Sequence, residues 1–93
     1  MDLTAYLTFY IKGSFPDGRP DKYICYRTGV DLNASMDVVR FTAKNVAEQN
    51  LVGADEITFI TREEYEKTKA EHPEQIGRTV VNDRHFIKPT ALN

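Results

Sequence analysis

The chain is poor in the residues that carry most recognisable protein chemistry. It has one cysteine, Cys25, in 93 residues. No internal disulfide and no paired-thiolate zinc site can be built from it. A lone thiol suits a reducing compartment, so the cytoplasm is the expected location. There is no tryptophan, and the histidines are only His72 and His85. Together with Cys25 and Asp83 these are the candidate metal donors, and their spacing matches no zinc pattern. Neither sign of charge prevails: 12 Lys+Arg against 14 Asp+Glu leave a net charge of -2. General electrostatic capture of nucleic acid needs a much stronger positive footprint. No apolar run approaches the roughly 20 residues that cross a bilayer. The first residues, Met1-Asp2-Leu3-Thr4-Ala5-Tyr6, lack the basic start and apolar stretch of a signal peptide.

Hydrophobic residues make up 41% and charged residues 28% of the chain, which suits a globule and not a disordered segment. No repeat, low-complexity tract or interdomain linker interrupts it. Residues 1–93 therefore read as one domain, with 89–93 as a C-terminal tail. The charge is uneven. Lys12, Arg19, Lys22 and Arg27 outnumber the acids between them, whereas Asp55, Glu56, Glu63, Glu64, Glu66, Glu71 and Glu74 dominate a later segment. Such runs ordinarily serve solubility. Two patches of opposite sign can also meet each other or a partner.

Residues 3–12 alternate strictly. Leu3, Ala5, Leu7, Phe9 and Ile11 take one face and Thr4, Tyr6, Thr8, Tyr10 and Lys12 the other, which predicts a half-buried strand. Two glycines and two prolines between 13 and 21 mark a loop. Residues 22–29 form a second strand, antiparallel to the first. Ser35 is a helix cap with Asp37 in the first turn, and the helix runs to about Asn50 before a stop at Gly53. Met36, Val39, Ala43, Val46, Ala47 and Leu51 share its core stripe, with Val38 and Phe41 off it. Residues 56–60 give a short strand. Thr61-Arg62-Glu63-Glu64 has the spacing of a capping box, and Ile60 and Tyr65 that of a hydrophobic staple. That helix ends by His72, ahead of Pro73. Residues 79–88 are either one bulged strand or a small hairpin turning at Asn82-Asp83. The order is ββαβαβ. It predicts a single two-layer α+β domain: a mixed, mostly antiparallel sheet with two helices on one face. A crossover through the second helix makes its flanking strands parallel.

No catalytic constellation emerges. Cys25 lies between Ile24 and Tyr26 with no nucleophile elbow or catalytic-cysteine signature, and reads as a small packing residue. The acids of 63–74 share a charged helix with interleaved bases, where carboxylates lack the shifted pKa that acid–base work needs. Gly13 to Gly18 has no phosphate-loop pattern and opens no helix. No cofactor, metal or catalytic residue is expected. The weakest of three functional readings is an enzyme using Cys25, Asp83, Arg84 and His85.

What remains is surface. Tyr6 and Tyr10 stand on the second sheet face, with Thr4, Thr8 and Thr58. Phe15 sits in a polar loop and either folds back or projects. Val38 and Phe41 form an apolar pair away from the core stripe; they pack under another element or mark an interface. The expectation is a small non-catalytic protein-interaction domain, whose partner is another protein or a second copy of the chain in a homodimer. The alternative is a nucleic-acid-binding accessory protein, with Tyr6 and Tyr10 stacking bases while Lys12 and Arg27 reach phosphates. No membrane association is expected.

Overall fold

A computed structural model describes the backbone of residues 4–87 and the side chains of residues 5–82. The elements are β1 (Thr4–Ser14), β2 (Lys22–Asp31), α1 (Met36–Asn50), β3 (Glu56–Ile60), α2 (Arg62–Glu71) and β4 (Ile76–Ile87), with a 3-10 turn over Pro73–Gln75. The strands form one sheet in the order β3-β1-β2-β4. β1 is antiparallel to both β2 and β3, and β2 is parallel to β4. The α+β class, the ββαβαβ order and the mixed sheet agree with the sequence reading. The choice left open at residues 79–88 is settled for a single strand. β4 runs through Asn82 and Asp83 with two irregularities in its pairing to β2. The tail from Pro89 onward lies outside the described residues.

Local chemistry explains the helices. The Ser35 hydroxyl accepts from the Val38 amide at 3.2 Å, and Asp37 occupies the first turn of α1. Thr61 Oγ1 accepts from the Glu64 amide at 3.1 Å and starts α2. Each cap satisfies an amide that the helix leaves without a partner.

Register places the core. Ile11 stands opposite Ile24, and Phe9 opposite Tyr26, on one sheet face. Against that face α1 sets Ala43, Ala47 and Leu51, and a second cluster joins Val30, Val38 and Val39 with Leu7 and Ala34. Each valine, leucine or isoleucine fully buried there contributes on the order of 1.5–3 kcal/mol. Thr28 is fully buried there. Its hydroxyl donates to the Gly29 carbonyl and accepts from the Asn82 amide, each at 3.2 Å, which offsets its desolvation.

The helices do not share a face, and here the sequence reading is corrected. Tyr10 is paired with Cys25 and Ile60, so it points away from the Ile11 face. The Tyr65 ring of α2 lies on Tyr10, with centroids 4.9 Å apart. The cause is topological. From β2 the chain crosses over β1 to reach β3, and from β3 it crosses back over β1 and β2 to reach β4. Both crossovers join parallel strands. Two crossovers of one hand that travel in opposite directions must use opposite faces of the sheet.

Candidate interaction surface

The five residues singled out from the sequence do not form one surface. Val38 is buried, because side chains in the first turn of a helix lean back toward its N-terminus and this one reaches Val30 and Ala34. Met36, assigned to the core stripe, is exposed instead. Phe41 is 52% exposed on the outer side of α1, among Asp37, Lys44, Asn45 and Glu48 at helical spacing. Tyr10 is half-buried beneath Tyr65. Phe15 is half-buried and folds back. The Arg19 guanidinium lies 4.2 Å from its ring centroid, and Gly53 lies beside it. Of the two tyrosines, Tyr6 is the more exposed, at 46%.

Tyr6 belongs to the half of the second face that α2 leaves uncovered. Thr8, Arg27 and Val81 share that half by register, and all three are exposed. The Arg27 guanidinium sits 4.6 Å from the Tyr6 ring centroid, an aromatic–cation contact.

The neighbouring edge adds a second feature. β1 has 11 residues, but β3 has 5 and pairs only with Tyr10 to Ser14. From Thr4 to Phe9 that side of β1 adjoins no described strand. Where β3 ends, a notch of about 210 Å³ opens, lined by Thr8, Phe9, Tyr10, Arg40, Phe59 and Ile60. Phe59 is 40% exposed there and tilts against Phe9, with centroids 5.7 Å apart. Sequence reasoning missed this edge, although the signal was present: a ten-residue alternating strand cannot be covered by a five-residue one.

The other edges are blunted. β3 opens with Glu56, next to Asp55. β4 carries the exposed Arg78, and its ladder is irregular. Charges and bulges of this kind discourage further pairing. Thr4-Ala5-Tyr6-Leu7-Thr8-Phe9 has no charge, proline or glycine.

Cys25 offers little as a nucleophile. It is half-buried, and burial is the main cause that pushes its thiol above the ordinary value; Lys69 opposes this and Glu66 adds to it. A reactive cysteine is shifted the other way. The side chains of Asp83, Arg84 and His85, its suggested companions, lie outside the described residues. Among the described residues no group of three His, Cys, Asp or Glu side chains could hold a metal ion. Among them, too, no helix is long and apolar enough to cross a membrane.

The basic and acidic segments do approach each other. Arg19 and Lys22 share a groove of about 340 Å³ with Glu74, together with Phe15, Pro20, Asp21 and Gln75. Arg19 is engaged by Asp17, its Nε donating at 2.7 and 2.9 Å to the two carboxylate oxygens, and this arginine holds the exposed Asp17 carboxyl below its usual range.

No family model matches the chain, and no similar curated protein or solved structure was found, so the geometry of this surface alone bears on function.

Proposed function

We propose that the chain is a non-catalytic protein-interaction domain that takes up a further β-strand along the open edge of β1. The observation that supports this is the length mismatch: β3 stops opposite Tyr10, and no described strand adjoins that side of Thr4 to Phe9. A strand edge presents a row of main-chain donors and acceptors, which is a template for another strand. Flanking side chains give such pairing its selectivity. Tyr6 and Arg27 on one face and Phe59 at the notch are of the types in which interface energy concentrates. The nucleic-acid reading has less support. It needs Tyr6 and Tyr10 side by side and open, but Tyr65 covers one and Arg27 lies over the other.

Amide hydrogen exchange tests the proposal. The probe is a soluble peptide carrying the sequence of residues 3–10 between lysine tails. Alternate amides between Thr4 and Phe9 should slow on its addition, because in a strand only every second residue points its main-chain groups toward one edge. Thr8→Lys, which sets a charge beside the edge, should abolish the slowing. Unchanged exchange at saturating peptide removes the reading.

A further inference from the structure

Resting on that reading, we infer that the strand received ends in the notch beside β3, where its last residue is apolar and its free C-terminal carboxylate is held by Arg40. The row beside Tyr10 is filled by Ile60. A strand that follows β1 toward Phe9 therefore meets the end of β3 and has no place in the sheet beyond it. At the notch the chain must stop or turn away, and the side chains there choose between the two. Phe59 stands opposite Ile11, so it shares with Phe9 the sheet face that α1 covers. Arg40 reaches the notch from α1. Among the described residues it has no ion-pair partner. Thr8, Tyr10 and Ile60 complete the lining, so the described walls hold one cation and no carboxylate.

A lone cation over an apolar floor selects an anion joined to an apolar group. The planar fork of an arginine matches a carboxylate with two parallel hydrogen bonds. The C-terminus of a strand supplies both parts. Its carboxylate continues the line of the backbone, and its last side chain stands out of the sheet. An N-terminus would instead set an ammonium against the guanidinium. Phe59 is 40% exposed, so an aliphatic last side chain laid against it and Phe9 removes apolar surface from water. The notch, at about 210 Å³, has room for one terminal residue and not for a helix. Direction follows as well. β1 runs from Thr4 toward the notch, so a strand whose C-terminus lies there runs parallel to β1.

Fluorescence anisotropy with labelled peptides tests this. The probe opens with two lysines, continues with alternating threonine and valine, and ends on valine with a free carboxylate. Its control is the same peptide as a C-terminal amide. The acid should bind at least about tenfold more tightly than the amide, because hydrogen bonds to a charged group are the stronger kind. Arg40→Gln should bring the acid down to the amide's affinity and leave the amide unchanged. Arg40 is exposed on α1, so this substitution spares the core. Ending the acid on glycine should weaken it at least about threefold. The peptide of residues 3–10 between lysine tails lacks the anchor and should match the amide. Acid and amide that bind equally, or an acid preference that survives Arg40→Gln, overturn the anchored carboxylate. If the edge amides still slow in that case, the strand-receiving reading stands, with an internal segment of another protein or of a second copy as the occupant. An Arg40-dependent acid preference with no slowing between Thr4 and Phe9 overturns the strand-receiving reading instead, and leaves a carboxylate pocket alone.

Discussion

Cys25 and Tyr65 show how single residues are set by what covers them. Cys25 of β2 lies beside Tyr10 on the second sheet face, and the Tyr65 side chain of α2 packs down onto that face. Burial is the main cause that raises each above its ordinary value, 9.0 for the thiol and 10.0 for the phenol, and the Thr79 hydrogen bond only partly opposes it for Tyr65. The folded chain therefore holds both protons more tightly than the unfolded chain does. The stability this contributes is fully present below the ordinary values and is lost as pH rises through the raised ones. Urea midpoints should stay flat from about pH 7 to 8.5 and fall above about pH 9. Cys25→Ser should remove the first part of that fall and leave the tyrosine's part. The turns supply a second residue-scale test. Gly18 and Gly53 both have positive φ, at 83° and 93°. Alanine at either should cost about 1–2 kcal/mol in chemical denaturation. A Cβ on Gly18 meets nothing, but on Gly53 it would lie 2.7 Å from an Arg19 nitrogen and push that guanidinium off Phe15. Gly53→Ala should therefore cost more than Gly18→Ala, and the difference should vanish in an Arg19→Ala background.

At the scale of elements, α1 shows where helical periodicity serves and where it misleads. Its cap, its length and the burial of Val39, Ala43, Ala47 and Leu51 were legible from Ser35 and the spacing of apolar residues. Val38 was not, because a helical wheel places side chains on an infinite cylinder and a first-turn residue has the incoming β2 chain to lean on. Val38→Ala should destabilise by about 1–3 kcal/mol, whereas Phe41→Ala should stay within about 0.5 kcal/mol. Thermal unfolding of the two variants distinguishes them, and equal costs would contradict the observed burial. The Thr61 cap of α2 was legible for a similar reason: it is a local hydrogen bond from the Glu64 amide three residues on, independent of the rest of the fold. The return bond from the Thr61 amide to the Glu64 side chain, the other half of a capping box, is not formed.

At the scale of the whole molecule, the two crossovers decide what is open. α2 is a polar helix with Tyr65 as its buried residue, and it lies over the sheet because β4 must pair with β2 at the edge far from β3. Its anchorage is consequently narrow. Tyr65→Ala should cost about 3 kcal/mol, speed exchange of the α2 amides and leave α1 protected, as read by hydrogen exchange. Uniform loss of protection across both helices would mean that α2 is not a separable layer. This same crossover hides Tyr10 and spares Tyr6. The short β3 then leaves Thr4 to Phe9 of β1 as an edge that no described strand covers, where the proposed partner strand docks.

Composition and local pattern were enough to determine one α+β domain, its element order, both helix caps and the alternation that gives β1 two distinct faces. Each follows from interactions between residues near one another in the chain. Which face each helix covers, that Val38 is core and Tyr10 is lidded, and where an edge stays open were decided only by tertiary structure. They depend on the order in which strands lie side by side, and that order is fixed by pairings between segments far apart in sequence.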